Sequence, residues 1–250
     1  MDSVEDVRAR FCAVMAVPGQ GRVVADRLCG ACVELLGVDE AALSVMYDGT
    51  LSRPFGASSA ACRELDELQF TLGDGPCWDA LHSSAPVLVP DLNDPATARW
   101  PGFAGEAMLR GVHAVFALPV FVANLPIGAL DLYRSSPGEM GATALAGGLM
   151  AAELAALPLL DLMGIDLSAA VEDETSSAWD ELGALTRVEV YQAAGMLIAQ
   201  LGVSSAEALV RLRGYAYAHD MTASEVAYEI IEGRLRITDD QTGSQPNEEV

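Results

Sequence analysis

Residues 187–201 read RVEVYQAAGMLIAQL, and the structure of the C-terminal part of the chain can be predicted outward from them. The apolar residues of this stretch recur at i, i+4, i+7 and i+11, which is one stripe of an α-helix. They are Val190, Ala194, Leu197 and Leu201. We predict a long helix from about Trp179 to Leu201, ended by Gly202.

Two further helix starts follow this stretch at an interval of 18 residues. Ser204 and Thr222 each precede a Glu by three positions, which is the pattern of a capping box. In such a box the hydroxyl and the carboxylate each accept a hydrogen bond from a free backbone N–H group. The C-terminal part is therefore predicted to be a bundle of three helices.

The second of these helices carries a candidate RNA-contacting pair. Arg213 and Tyr217 lie at i and i+4, on the side opposite to Ala208 and Leu212. A guanidinium beside an aromatic ring can hold a phosphate and stack on an unpaired base. An ordinary solvated helix face would show the same pair. Residues 166–250 hold five Arg against 16 acidic residues, so any basic patch lies in negative surroundings.

The segment from residue 182 to residue 236 resembles the ANTAR domain, the three-helix RNA-binding module of transcription antiterminators. The resemblance implies that a dimer binds two neighbouring stem-loops with hexanucleotide loops in nascent RNA. The positions that match the family motif are Gln192, Ala193, Gly195, Ala208, Leu212 and Arg213. We add Arg211 and Tyr217 from the basic and aromatic residues of the second helix. The predicted RNA-binding residues are therefore Gln192, Ala193, Gly195, Arg211, Arg213 and Tyr217. Many members of the family have Lys where this chain has Ala194, so one cationic contact is missing. Gly195 also has a structural interpretation, since glycine permits close helix packing.

The N-terminal part is predicted to alternate between helices and strands. Residues 7–36 have a helical period divided at Pro18 and Gly19, and the Asp48–Gly49 pair between apolar runs predicts a hairpin. Phe70–Trp78 contains two Gly and a Pro, which predicts a shaped loop. Further strands are predicted at 86–89, 112–121 and 127–133, with short helix and loop over 95–110 and helices over 59–67 and 141–163.

This order, with the LGDGPC loop at 72–77 and the IGALDL strand at 127–132, resembles a GAF domain, a sensor of small molecules. The predicted class is α+β: a GAF-like domain with an antiparallel sheet between helices, followed by an all-α three-helix ANTAR domain. The predicted bounds are 1–165 for the GAF-like domain, 166–180 for an acidic joint, 181–237 for the ANTAR domain and 238–250 for a disordered acidic tail. Actinobacterial regulators combine the two domains in this way, and a chain without Lys suits a high-GC genome.

Side chains that are candidates for a ligand pocket are Phe70, Leu72, Cys77, Trp78, Phe116 and Tyr133, although core packing is the better explanation for most of them. Cys77 is a candidate redox or attachment site, but no flanking His or basic residue favours its thiolate. His113 fits a structural hydrogen bond better than a haem ligand. Cys29 and Cys32 have half of a zinc-site spacing with no second pair, so we expect them to pack. We predict no metal site, and the ligand is unknown.

The formal charge of −22 argues against binding to DNA or to a membrane through overall charge. The N-terminus is acidic, five Cys show no disulfide pattern, and Glu153, Pro158 and Asp161 interrupt the most apolar stretch. We therefore expect a cytoplasmic protein.

No catalytic constellation is evident, so the predicted function is a signal-responsive, dimeric, RNA-binding antiterminator rather than an enzyme. The alternatives are a ligand-sensing dimer whose helical tail binds proteins, and a GAF-type enzyme or redox switch that uses Cys77.

Overall fold

The computed structural model describes residues 3–47, 50–51, 54–95, 99–122, 124–163 and 187–238. The chain divides into two compact units, with the main boundary between Thr186 and Arg187. The predicted joint over 166–180 and the tail beyond residue 238 lie outside the described residues.

The first unit contains six helices and six strands in its described part. The helices are α1 (Val4–Met15), α2 (Gly21–Leu36), α3 (Ala60–Leu72), α4 (Pro76–Ser83), α5 (Pro101–Leu109) and α6 (Ala142–Met163). The strands are β1 (Glu40–Tyr47), β2 (Thr50–Leu51), β3 (Gly56–Ala57), β4 (Val87–Val89), β5 (Ala114–Val122) and β6 (Leu125–Arg134).

The strands form an antiparallel sheet in the order β2-β1-β6-β5-β4, and β3 also pairs with β1. Met46 pairs with Leu51 across the predicted hairpin, whose turn at 48–49 is outside the described residues. In β5 and β6, Phe116 pairs with Leu132, and Val115 pairs with Tyr133. Because cross-strand partners share a face of the sheet, this register decides which side chains meet.

Helices α2 and α6 cover one face of the sheet with α1 packed against both of them, and α4 contacts the other face. The core between the sheet and α1, α2 and α6 is apolar, with fully buried Phe11, Leu28 and Leu118. Burial of each such side chain stabilises the fold by roughly 1.5–3 kcal/mol. Both faces of β6 are buried, so its alternation separates two buried layers rather than core from solvent.

The loop predicted over Phe70–Trp78 is much shorter in the structure. Helix α3 continues to Leu72, and α4 begins at Pro76. Proline suits the first position of a helix because its missing N–H has no intrahelical partner there. Only the three residues Gly73–Gly75 connect the two helices. Gly75 has φ +140°, a backbone conformation that favours glycine.

The second unit is a bundle of α7 (Val188–Leu201), α8 (Ser205–Ala218) and α9 (Ala223–Ile231), which contact one another pairwise. Arg187 has ψ 64° and is the N-cap of α7, so α7 begins at Val188; the helix start predicted near Trp179 lies outside the described residues. The stripe predicted for this helix is buried at Val190, Ala194 and Leu197.

One of the two predicted capping boxes is complete. Thr222 Oγ1 accepts from Glu225 N at 3.1 Å, and Thr222 N donates to Glu225 Oε2 at 2.8 Å. Ser204 Oγ accepts from Glu207 N at 3.2 Å, but the Glu207 carboxylate pairs with Arg211 instead of returning to Ser204. The competing ion pair leaves α8 with half of the predicted box.

Helix α6 is long and apolar enough over Ala142–Leu159 to cross a membrane, and α7 with α8 pass the same test only as a pair bent by 108°. Helix α6 contacts α2 and β5 as part of the helical layer of the first unit. A core helix of this kind meets the same criteria of length and composition.

Candidate functional site

The exposed surface of α7 contains two of the residues predicted to bind RNA. Gln192 and Gly195 are exposed, whereas Ala193 is fully buried with Val190 and Leu197 on the inner side of the helix. Ala194 is buried as well. A lysine at that position would bring its charge to the surface only by extending its side chain.

Helix α8 carries the other three predicted residues. Tyr217 is 61% exposed, Arg213 is half-buried, and Arg211 Nη2 donates to Glu207 Oε1 at 2.8 Å. Val210, one turn before Arg213, is 66% exposed. This surface of α8 therefore offers an aromatic ring and an apolar side chain to a partner.

Charge on the second unit is close to balanced, with five Arg against six acidic residues in 187–238. Arg234 donates to Glu229 at 2.8 Å from Nε and at 2.9 Å from Nη2, and Arg211 pairs with Glu207. The cations of two Arg are thus engaged in ion pairs.

Gly195 has no packing reason to be glycine among the described residues. A Cβ atom placed on it would meet no atom within 4 Å. The described part of the chain therefore shows no close helix packing at Gly195. Glycine inside a helix is less stable than alanine by about 0.5–1 kcal/mol.

The candidate pocket residues do not converge. Phe70 and Leu72 lie in the last turn of α3, and Cys77 and Trp78 lie in the first turn of α4. Phe116 belongs to the apolar core with α1, α2 and α6, and Tyr133 is on the other face of the sheet. The structure brings Cys77 close to Tyr133, connects Trp78 to them only through Gln69, and leaves Phe116 apart.

Six side chains that meet between the sheet, α3 and α4 form what we call the buried polar cluster: Ser44, Asp66, Gln69, Cys77, Asp131 and Tyr133. All six are 0% exposed. Gln69 Nε2 donates to Asp131 Oδ2 at 3.0 Å and contacts the Tyr133 hydroxyl at 3.2 Å, and that hydroxyl donates to Asp131 Oδ2 at 3.3 Å. Ser44 donates from its hydroxyl to Asp66 Oδ1.

Gln69 connects this cluster to the start of α4. Its Oε1 accepts from Cys77 N at 2.9 Å, and its backbone carbonyl accepts from Trp78 Nε1 at 3.2 Å. A Cβ on Gly75 would lie 2.5 Å from Gln69 Oε1, so only glycine fits there. The side chain of Gln69 thus explains the second glycine of the LGDGPC motif, Gly75.

Burial controls the ionisation of this cluster. It raises the pKa of Asp131 to about 7, with the nearby Asp66 carboxyl adding to the effect. Burial also raises the pKa of the Cys77 thiol well above its usual value. A thiolate at Cys77 is therefore disfavoured, which argues against the redox alternative.

Sequence reasoning missed Asp66, Gln69 and Asp131. One signal was available, because Asp131 is a carboxylate inside an otherwise apolar strand, where an unpaired charge is costly. Cys29 and Cys32 are fully buried, in agreement with the prediction that they pack in the core. Burial raises the pKa of Cys32 to about 12. No group of three or more His, Cys, Asp or Glu in the described residues is arranged to hold a metal ion.

A cavity of about 420 Å³ opens at the end of the sheet near Tyr133. Its lining includes Glu40, Glu64, Arg110 and Arg134, and it contains none of the other predicted pocket residues. The volume suits a small molecule.

The GAF domain family matches residues 22–157, and the ANTAR domain family matches residues 184–231. The GAF domain of a phosphoenolpyruvate-protein phosphotransferase from Coxiella burnetii is 13% identical, with a TM-score of 0.53 over 67% of this chain and 97% of that chain. The corresponding Acinetobacter domain is 11% identical, with a TM-score of 0.53 over 66% and 98%.

A type II free methionine-R-sulfoxide reductase from Thermoplasma acidophilum is 21% identical over 53% of this chain and 89% of that chain. The TM-score for this pair is 0.40. A search of curated proteins found no significant match.

The molecule is a two-domain regulatory protein, a GAF domain followed by a helical ANTAR domain. The chain belongs to the GAF domain family, and both resemblances found in the sequence are confirmed. The predicted α+β class is confirmed as well. This combination fits signal-responsive regulation through RNA-binding antitermination, the output associated with the ANTAR family.

Proposed function

We propose that this protein is a cytoplasmic, homodimeric antiterminator whose ANTAR domain binds two neighbouring hexanucleotide-loop stem-loops in nascent RNA. The observation that carries the proposal is the ANTAR match at 184–231 on a three-helix bundle that exposes Gln192, Gly195 and Tyr217. DNA, membranes and catalysis have no part in it.

The chemistry of the exposed surface favours loops over duplex. Tyr217 offers a ring on which an unpaired base can stack, and Gln192 can hydrogen-bond a base edge. Ala193 would act from inside the bundle by positioning α7. Arg211 and Arg213 would supply few phosphate contacts, so the salt dependence of binding should be shallow.

The glycine at position 195 also favours RNA contact at this surface of α7. A residue that weakens its helix and has no packing role leaves room for close approach of a partner. An RNA backbone that approached α7 at this point would need that room.

Control by the GAF domain would pass through α6 and the 166–180 joint. A signal that favours one arrangement of α6 over another would set the spacing of two ANTAR domains in the dimer. The ligand of the GAF domain is a small molecule of unknown identity.

The test is a titration of the full-length protein against a tandem hexaloop RNA, with a scrambled-loop RNA beside it. Arg213→Ala should weaken binding at least tenfold, and Arg234→Ala, at an arginine outside the predicted RNA-binding positions, should bind as the wild type. Mass measurement in solution, with and without RNA, checks the dimer.

Equal affinity for both RNAs, or no effect of Arg213→Ala, would contradict the proposal. The exposed Val210 and Tyr228, 66% and 52%, would then favour a protein partner for the helical domain.

A further inference from the structure

The groups that face Asp131 include no cation among the described residues. They are Ser44 from β1, Cys62, Asp66 and Gln69 from α3, Cys77 from α4, and Tyr133 from β6 itself, while β5 presents Ala117 beside it. Glu40 lies farther from Asp131, close enough to Cys62 for its charge to raise the pKa of that thiol, and it adds negative charge to these surroundings. A buried carboxylate in this setting has hydrogen bonds but no opposite charge to compensate its desolvation.

The two oxygens of Asp131 differ in their surroundings. Oδ2 accepts from both Gln69 and Tyr133, whereas Oδ1 is buried and makes no well-formed hydrogen bond within the described part of the chain. A proton can therefore sit on Oδ1 without breaking either bond to Oδ2. The neutral acid therefore keeps the bonds from Gln69 and Tyr133.

We propose that Asp131 with its neighbour Asp66 is a proton-operated switch in the GAF domain, which moves the first turn of α4 when Asp131 gains or loses its proton. The proton is then a stimulus of this sensor, in addition to any small molecule. The change is one proton exchanged with solvent at Asp131 Oδ1, with no other bond made or broken.

Gln69 transmits the change. Ionised Asp131 places a second buried carboxylate beside Asp66, and the amide of Gln69 is the neutral donor that can move to compensate. Its other end holds Cys77 N, and its backbone carbonyl holds the Trp78 indole. The Gln69 side chain lies so close to Gly75 that there is no room even for a Cβ atom between them. Movement of Gln69 therefore shifts the Gly75–Trp78 segment.

The midpoint of the switch lies in the physiological range, because the pKa of Asp131 is raised to about 7 by burial and by Asp66. The proposal rests on the proposed function only in treating the GAF domain as the sensor. Its readout uses α4 and involves no RNA.

The experiment is ¹⁹F NMR of the full chain labelled with 5-fluorotryptophan, from pH 5.5 to 8.5. His82 stacks on Trp78 with ring centroids 5.9 Å apart, so the background carries His82→Gln to remove the effect of this ring on the Trp78 resonance. Trp→Phe variants assign the three resonances. We expect the Trp78 resonance to titrate with a midpoint near pH 7.

Asp131→Asn should abolish this titration, and Glu64→Gln, an exposed carboxylate on the same helix as Asp66, should leave it unchanged. Asp66→Asn should lower the midpoint because it removes the like charge. If circular dichroism shows that Asp131→Asn is unfolded, Tyr133→Phe serves instead, and loss of the hydroxyl donor should raise the midpoint.

A Trp78 resonance that stays flat across this range, or a midpoint that none of these cluster variants moves, would overturn the switch. A protein that titrates at Trp78 but fails to bind tandem stem-loops would contradict the RNA proposal and leave the switch standing.

Discussion

Replacing Gly195 with alanine should stabilise the ANTAR domain and weaken its RNA binding at the same time. Gly195 lies inside α7, is exposed, and has no atom within 4 Å of the position that a Cβ would take. If the fold required glycine at this position, the substitution would lower the stability of the domain. Higher stability together with weaker RNA binding is the result expected if Gly195 serves contact with a partner.

The stability gain follows from helix propensity alone, since the methyl group touches nothing. Alanine is favoured over glycine in a helix interior by about 0.5–1 kcal/mol. This corresponds to roughly two- to fivefold slower hydrogen exchange at α7 amides that open locally. A methyl group in the path of the RNA backbone should cost at least about 1.4 kcal/mol, or tenfold in Kd.

Hydrogen exchange of the full chain, read by mass spectrometry on peptides from α7, measures the first effect. Fluorescence anisotropy with the tandem hexaloop RNA measures the second. Gly30→Ala is the matched control, because Gly30 lies inside α2 with the same open space around its Cβ position. It should slow exchange in α2 by a similar factor and leave RNA affinity unchanged.

Two results would refute this reasoning. Faster exchange in α7 of Gly195→Ala would mean that glycine is required by the structure. Slower exchange together with wild-type affinity would mean that RNA does not approach α7 at this residue.

Three further outcomes are expected. Arg213→Lys should recover only part of the affinity lost in Arg213→Ala, because lysine lacks the planar fork of donors; equal affinity of Lys and Arg in the anisotropy titration would reduce its role to charge. Thr222→Ala should destabilise α9 by about 1 kcal/mol through loss of the complete capping box, seen as roughly fivefold faster exchange there, while unchanged exchange would show that packing alone holds the helix start. The free energy of unfolding of the GAF domain should fall as pH rises from about 4 to 7, because the acid with the raised pKa keeps its proton in the folded state; a pKa raised from 3.8 to about 7 corresponds to roughly 4 kcal/mol. Urea denaturation followed by tryptophan fluorescence should show that Asp131→Asn lacks this decline, and an identical pH profile would contradict the assignment.

Much of the local structure could be predicted because it depends on neighbours in sequence. The Thr222 capping box and the hairpin around 48–49 follow from residues within a few positions of one another. The pocket could not be predicted in this way. Phe116 and Tyr133 looked like partners, but Phe116 pairs with Leu132, so the register of β5 and β6 puts the two aromatic rings on opposite faces.

The sequence by itself determined the two-domain organisation and the starts of the last two helices, since helical period, capping and family motifs are local patterns. Only the tertiary structure decided that Ser44, Asp66, Gln69, Cys77 and Asp131 meet, because β1, α3, α4 and β6 come together only when the sheet has formed. The raised pKa of Asp131 exists for the same reason. Desolvation acts on a carboxyl group only once other parts of the chain have excluded water from it.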